Sequence, residues 1–356
     1  MPEGRLGLTR RAALSIAVAG VAGLGRLRAS GGSNRTVVHI YLFGGSDTNS
    51  MLVPLDNSQF SAYSRLRGEL AIPAGSLLPV RALRSQTAYG FHPAMGEVQN
   101  LFRLGVLGVV ANAGAPQCPP ASVHDYSALR FFREGLAIPA WAADQAAVPI
   151  AGHSVMGFDR SMALLPMSGA GEGNGSARRE ALAHASTEVA FRTQFPETFI
   201  GKSLRQVAAI IRTGRDSGTG GQVFLVPFPN FDTHSWQAAR LTDLFGQLSS
   251  AMNAFYEATL EMGVAGDVTT VTDSEFGRSL FPNASHGTDH GWGNHHLVMG
   301  AAVSGGDIYG DFPDFVAGAQ DSAGRLVPTT PRERFYGTLQ AWFNRESSPL
   351  SMGFLV

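Results

Sequence analysis

The sequence predicts an α/β fold in which short buried strands alternate with amphipathic helices. Five short apolar runs are predicted to be strands: residues 36–43, 106–112, 222–227, 268–272 and 296–303. Four stretches with helical spacing of apolar side chains are predicted to be helices: residues 93–104, 127–134, 197–213 and 241–262. This alternation is typical of a sheet with helices packed against it.

The composition favours a large buried core and excludes two classes of partner. The chain has 356 residues, of which 44% are hydrophobic and 15% are charged. With a formal net charge of -1 and no basic stripe interleaved with aromatic residues, we expect no binding of nucleic acid or of an anionic membrane surface. Cys118 is the one cysteine, so no intramolecular disulfide can form. Stability must come from the core, from a metal or from partners.

The first 33 residues are predicted to be a twin-arginine export signal. Arg10 and Arg11 stand directly before a weakly apolar run at residues 12–24, and residues 27–29 offer a small-residue cleavage site. The run is shorter than the roughly 20 apolar residues that span a bilayer. An amphipathic helix or an uncleaved anchor is the alternative, but three glycines in the segment disfavour a helix. We therefore expect a periplasmic or extracellular protein without a membrane span in its mature form.

The remainder, residues 34–356, is predicted to be a single domain. It contains no internal repeat and no linker. A stretch rich in glycine, serine and alanine at residues 168–176 predicts a flexible insertion around residues 152–178.

Carboxylates and imidazoles follow three of the predicted strands. Listed in chain order, they are Asp47, then Asp232 and His234, then Glu275, Asp289 and His290. Ligands of open α/β sheets bind outside the carboxyl ends of the strands. Asp232 and His234 are two residues apart, so on an extended segment they face the same side. This mixture of ligands suits Zn, Mn or Fe better than Ca.

The same cluster suggests a two-metal site for ester hydrolysis. Two ions can clamp the attacking and leaving oxygens of phosphoryl or sulfuryl transfer and activate a water or a hydroxyl. The hydroxyls near these motifs belong to Thr48, Ser122 and Ser127. Arg278 is a candidate for holding a tetrahedral oxyanion in a forked grip.

Each of these residues also has a structural interpretation. Asp47 could form a turn, Asp232 could begin a helix, and Glu275 could pair with Arg278 three residues on. The pair Asp289 and His290 could support other ligands. Their joint occurrence at successive strand ends favours metal binding. The remaining histidines are interpreted as core, structural or surface residues: His39, His92, His153, His184 and His286.

Four ordered motifs resemble the family called domain of unknown function 1501. They are Gly-Gly-x-Asp at residues 44–47, Phe-Asp-Thr-His at 231–234, Ser-Glu-Phe-Gly-Arg at 274–278 and Gly-Thr-Asp-His-Gly at 287–291. The similarity runs from about residue 36 to about residue 343. Members of the family typically carry twin-arginine signals. The family is grouped with the alkaline-phosphatase-like superfamily, beside sulfatases and phosphoglycerate mutases.

The resemblance implies a three-layer α/β/α sandwich with a mostly parallel central sheet and two divalent ions, Zn, Mn or Fe, at the strand ends. By analogy Asp47 binds one ion beside the nucleophile, and Asp232 and His234 bind the other. Either Glu275 or the pair Asp289 and His290 completes the ligand set. His295 and His296 are further candidates for a late histidine ligand.

The chain also departs from the family pattern. Ser46 and Thr48 flank Asp47, and Phe276 stands where sulfatase-like relatives have a histidine. Ser122 is the candidate nucleophile, but Val123 breaks the spacing of the segment that many members have there. The resemblance therefore supports the fold more firmly than the reaction.

Two functions follow. The first is an exported, metal-dependent hydrolase of phosphate or sulfate esters, acting on a small-molecule ester with Ser122 as nucleophile. The alternative is a non-catalytic binding or assembly protein that retains the fold and binds another exported protein, since members of the family are often encoded beside a second exported family. A phosphomutase would need a capping domain, and residues 131–197 are too short and too rich in glycine to form one.

Overall fold

The computed structural model describes residues 34–114, 165–166, 189–216 and 222–356. The predicted signal, Cys118, Ser122, Ser127, the predicted helix at 127–134 and nearly all of the predicted insertion lie outside the described residues. The division into a signal and a single domain stays a prediction.

Thirteen strands lie within the described ranges. They are β1 (Thr36–Leu42), β2 (Leu52–Pro54), β3 (Leu78–Arg81), β4 (Ala88–Phe91), β5 (Leu107–Gly114), β6 (Leu165–Pro166), β7 (Gln222–Phe228), β8 (Val268–Asp273), β9 (Arg278–Pro282), β10 (Thr288–His290), β11 (Asn294–Met299), β12 (Ile308–Tyr309) and β13 (Thr330–Pro331).

The same ranges contain five α-helices. They are α1 (Asn57–Arg67), α2 (Gly96–Arg103), α3 (Phe199–Asp216), α4 (Gln237–Glu261) and α5 (Arg332–Asn344). Across these ranges, no helix is both long and apolar enough to cross a bilayer.

The central sheet has the strand order β12-β5-β11-β8-β1-β7-β6, with β13 also paired to β5. Strand β1 is parallel to both of its neighbours, β7 and β8, whereas β11 and β6 run antiparallel to the strands they pair with. The fold is therefore a mixed α/β fold with a mostly parallel central sheet, as the sequence predicts.

Strand β1 is buried along its whole length because it packs on both faces. Val38 and Ile40 belong to a hydrophobic cluster that also contains residues of α2, α3 and α4. Val37 and Tyr41 belong to a second cluster that contains residues of α5. The alternation of side chains along the strand divides β1 between these two clusters.

The predicted elements are present where the structure describes them, with shifted ends. Helix α4 begins at Gln237 instead of residue 241, and β11 begins at Asn294 instead of residue 296. Helices α1 and α5 and the small antiparallel sheet β2-β4-β3 were not predicted. Helix α1 is mostly polar, so it gives little periodic signal; Asp56 begins it by accepting hydrogen bonds from the backbone amides of Ser58 and Gln59.

Arg67, the last residue of α1, ties this helix to the segment that follows β1. Its Nη2 lies 2.6 Å from Asp47 Oδ2 and 2.8 Å from Ser50 Oγ. Both charged side chains are completely buried. The attraction between the two charged side chains therefore replaces the hydration that each of them loses on burial.

We predict that Arg67→Met lowers the free energy of unfolding by about 3–5 kcal/mol, because it leaves Asp47 buried without its cation. Urea denaturation measures the change. Adding Asp47→Asn to the variant should recover part of the loss. Arg325→Met is the matched control: its partner Asp321 is partly exposed, and its loss should stay below about 1 kcal/mol. Equal losses in the two arginine variants would contradict the prediction.

Candidate metal centre

The candidate site is formed by two segments that the fold brings together. The segment after β7 carries Asp232 and His234, and β10 carries His290. The backbone amide of Thr288 donates to the carbonyl of Thr233 at 3.2 Å, which joins the two segments. At Gly287 an added Cβ would lie 2.3 Å from the carbonyl carbon of His234, so the close approach requires glycine.

Three ligand atoms from these segments form a small triangle. His234 Nε2 lies 3.1 Å from Asp232 Oδ1 and 3.0 Å from His290 Nε2. The third side, from His290 Nε2 to Asp232 Oδ1, is 3.4 Å. Within the described ranges, Asp232, His234 and His290 are the group of imidazoles and carboxylates that could hold a metal ion; they are called the triad below.

The size of the triangle fits one transition-metal ion. Ligand atoms about 2.0–2.1 Å from a tetrahedral zinc ion are separated from one another by roughly 3.3 Å. The three sides of the triangle lie close to this separation, so one ion could contact all three atoms without a change in the backbone. Two imidazoles and one carboxylate are also ligands that zinc and iron commonly take.

The protonation states favour metal binding near neutral pH. Burial would raise the pKa of Asp232, but hydrogen bonding to His290 and the charge of Arg278 outweigh it and hold that pKa well below its usual range. Burial, and then the charge of Arg278, lower the pKa of His234. Asp232 is therefore ionised and His234 is neutral at pH 7, the forms in which both can bind a metal.

Asp289 and Phe276 support the two histidines. Asp289 Oδ1 lies 3.5 Å from His234 Nδ1, on the side of the ring away from the triangle. The Asn283 side chain donates to the same Asp289 oxygen at 3.2 Å. The rings of Phe276 and His290 have centroids 4.4 Å apart. Asp289 therefore lies behind a candidate ligand, an arrangement that orients histidines at metal sites. The role of Asp289 as a metal ligand stays a prediction.

Arg278 lies beneath the triad with its side chain fully buried. Its guanidinium donates to the carbonyl oxygens of Gly44, Gly45 and Thr288 at 2.6–2.8 Å, and it is also bonded to Asp232 Oδ1. In this structure it joins the loop after β1 to both triad segments. The catalytic role predicted for Arg278 stays a prediction.

Asp47 and Glu275 lie outside the triad. Asp47 is paired with Arg67. The carboxylate of Glu275 accepts hydrogen bonds of 3.1 Å from the backbone amides of Gly44 and Gly45. Burial raises the pKa of Glu275. Both carboxylates thus have protein partners that hold the strand-end loops, and their roles as metal ligands stay predictions.

The other candidate groups are held elsewhere. His295 Nδ1 accepts a hydrogen bond of 2.9 Å from the amide of Asn112, and the ring of His296 stacks on Phe335. Thr48 Oγ1 accepts a 2.8 Å hydrogen bond from the amide of His295 and also bonds Asn294. His39 is buried within the core, as the sequence indicates.

Sequence reasoning missed two residues that follow His234 closely in the chain, Trp236 and Gln237. Trp236 is 69% exposed. Its backbone is in the left-handed region, with φ of 49°. Its ring lies 4.9 Å from that of His286, which also has a positive φ. Gln237 begins α4 and is buried. The signal available in the sequence is their position two and three residues after the Phe-Asp-Thr-His motif.

We predict that Asp232→Asn makes the stability of the metal-free protein less dependent on pH. Because the pKa of Asp232 is lowered in the folded state, its ionised form stabilises the fold above the unfolded pKa of about 3.9. This stabilisation is lost as the pH falls through the folded pKa. The stability difference between the wild type and the variant, measured by urea unfolding in chelator, should therefore shrink below about pH 4. Asp243→Asn, on the exposed face of α4, is the control. A difference that stays constant from pH 7 to pH 3 would contradict the prediction.

Comparison with known proteins supports the resemblance. No curated protein matches the chain. Among solved structures, the PsFucS1 sulfatase from Pseudoalteromonas sp. is similar with 11% identity and a TM-score of 0.29, over 98% of this chain and 74% of that chain. The family described as "Protein of unknown function (DUF1501)" matches residues 167–326, which contain three of the four motifs. The resemblance to this family is thereby confirmed: residues 167–326 match the model of the DUF1501 family.

Proposed function

We propose that the chain is an exported, metal-dependent hydrolase of phosphate or sulfate esters. The observation that supports this function best is the triad: three ligand atoms separated by 3.0–3.4 Å, in a group that solvent can reach. The side chains of His234 and Asp232 are 39% and 28% exposed. Catalytic zinc sites typically combine three protein ligands with an open position, whereas structural sites are closed by four.

The residues around the triad have distinct roles in this proposal. A divalent ion held there would supply Lewis acidity, which polarises an ester oxygen and acidifies water. Asp289 orients the imidazole of His234 through Nδ1. Hydrogen bonding to His290 and the charge of Arg278 keep Asp232 ionised, and Arg278 also fixes its position. Ser122 remains the candidate nucleophile and lies outside the described residues.

We propose that the site holds one ion, bound at the triad. The second ion of the pair implied by the family would need ligands such as Asp47 or Glu275. Asp47 is bound by Arg67, and Glu275 by two backbone amides. The proposed fold around this site is the three-layer sandwich of the alkaline-phosphatase-like superfamily, and the ligand set accommodates Zn, Mn or Fe.

Trp236 is proposed to contact the organic part of the ester. It follows the ligand His234 by two residues and exposes most of its ring to solvent. A bulky residue in the left-handed region is strained, and such strain is found where function requires a particular side-chain placement. The ring of Trp236 would give the non-reacting part of a substrate an apolar surface beside the ion.

We also propose that residues 1–33 direct the folded protein to the periplasm or the cell exterior. The support is the pair Arg10 and Arg11 before the apolar run at residues 12–24. The partner in that compartment would be a small-molecule ester or, in the alternative function, another exported protein.

The first experiment is a metal measurement. We expect the purified protein to bind about one equivalent of Zn²⁺, Mn²⁺ or Fe²⁺, measured by elemental mass spectrometry after equilibrium dialysis. His234→Ala and His290→Ala should each abolish stoichiometric binding, because two ligands cannot complete the site. His286→Ala removes a nearby histidine outside the triad and should bind metal like the wild type. If neither the wild type nor His286→Ala binds metal while both are folded, the proposed function is wrong.

The second experiment tests activity and the role of Trp236. We expect the metal-loaded protein to hydrolyse phosphate or sulfate monoesters and to lose this activity in chelator. Trp236→Ala should raise KM for esters with large organic groups by about 10-fold, with little change in kcat, because it removes binding that is equal in the ground and transition states. Its KM for methyl phosphate or methyl sulfate should be unchanged. Equal increases in KM for small and large esters would rule out the proposed contact.

One observation favours the alternative, a binding protein without catalysis. The guanidinium of Arg278 is buried and donates to four backbone and side-chain acceptors. It therefore does not face solvent beside the triad, where a substrate oxyanion would bind. A protein that binds metal stoichiometrically but hydrolyses no ester in a broad screen would have this function. The search would then turn to exported proteins that bind only the metal-loaded form.

A further inference from the structure

Gln237 connects the two segments that carry the triad. Its Oε1 accepts hydrogen bonds from Thr233 Oγ1 at 2.8 Å and from Thr288 Oγ1 at 2.5 Å. Thr233 lies between Asp232 and His234, and Thr288 lies two residues before His290. The side chains of Gln237, Thr233 and Thr288 are buried, so these hydrogen bonds are not exchanged with solvent.

The other end of the same amide reaches a buried ion pair. Gln237 Nε2 donates to Asp47 Oδ2, which is also bound by Arg67 Nη2 at 2.6 Å. An amide nitrogen can only donate and an amide oxygen can only accept. The orientation of the amide is therefore fixed: the reverse orientation would bring Oε1 against the Asp47 carboxylate. Asp47 orients Gln237, and Gln237 in turn orients the two threonines.

Backbone hydrogen bonds hold the same segments without help from the side chain. The amide of Gln237 donates to the carbonyl of His286 at 2.9 Å, and that of Thr288 donates to Thr233 at 3.2 Å. A substitution confined to the Gln237 side chain leaves these bonds in place. The segments would stay adjacent while the exact separation of their ligand atoms is no longer fixed.

We propose that Gln237 is a positioning residue of the metal centre: it sets the distance between the pair Asp232 and His234 on one segment and His290 on the other. This inference rests on the proposed function, because it assumes an ion at the triad. It gives Asp47 and Arg67 a role in the site without making either one a ligand. Metal sites need ligands held within about 0.5 Å, and groups behind the ligands commonly change metal affinity 10- to 100-fold.

The test compares Co²⁺ and Zn²⁺ affinities of full-length variants by calorimetry. Gln237→Met has a similar length and removes all three side-chain hydrogen bonds, so we expect its Kd to rise about 10- to 100-fold. Gln247→Met is the control on the same helix, since Gln247 donates to Asp243 Oδ2 far from the triad. The visible spectrum of bound Co²⁺ should change in Gln237→Met and stay unchanged in Gln247→Met, because it reports ligand geometry.

A second pair of variants keeps the test independent of whether Gln237→Met folds. Thr288→Val removes one hydroxyl at nearly constant volume and should weaken metal binding, whereas Thr288→Ser keeps the hydroxyl and should recover most of the affinity. Combining Thr288→Val with Gln237→Met should weaken binding no further than Gln237→Met alone, because both remove the same hydrogen bond.

The outcomes separate the two proposals. A wild type that binds no metal overturns the proposed function and this inference with it. A wild type that binds metal, with Gln237→Met and Thr288→Val within twofold of its Kd and with the same Co²⁺ spectrum, overturns the positioning role alone. Weaker binding in both variants, with recovery in Thr288→Ser, supports it.

Discussion

The guanidinium of Arg278 lies where the loop after β1, the segment after β7 and strand β10 meet, and burying it constrains all three. A charged group of this size loses several kcal/mol of hydration on burial, so its donors must be matched inside the protein. Here they bond the carbonyls of Gly44, Gly45 and Thr288 and the carboxylate of Asp232. The same contacts that solvate the cation therefore fix the backbone from which the triad extends.

This arrangement places a protein cation against a candidate metal ligand. Asp232 Oδ1 is both a corner of the triad and a partner of Arg278. A carboxylate has about four lone-pair positions, so it can serve both cations. Repulsion between Arg278 and a bound ion would lower the affinity of the triad for metal.

The sequence was informative where side-chain chemistry and spacing coincide. Asp232, His234 and His290 were identified from motifs because carboxylates and imidazoles at strand ends are recognisable without coordinates. The runs that became β1, β7 and β8 were identified because strands buried on both faces read as continuous apolar segments.

What the sequence did not reveal depends on partners that are distant or uncharged. The partner of Asp47, Arg67, is the last residue of a mostly polar helix that was not predicted. The partners of Glu275 are backbone amides, which every residue except proline possesses and no motif marks. Gln237 has no charge and no metal-binding chemistry, so its role follows only from the two threonines that its oxygen joins.

The partners of Asp47 and Glu275 explain why we propose one ion instead of two. Carboxylates at one sheet edge repel one another unless cations or hydrogen bonds neutralise them. In this chain Arg67 neutralises Asp47, and two amides stabilise Glu275. Phe276 packs its ring against His290. An added Cβ on Gly45 would lie 2.2 Å from the Phe276 ring, so the loop after β1 is shaped around that phenyl group. Asp47, Glu275 and Phe276 thus hold the loops around the triad.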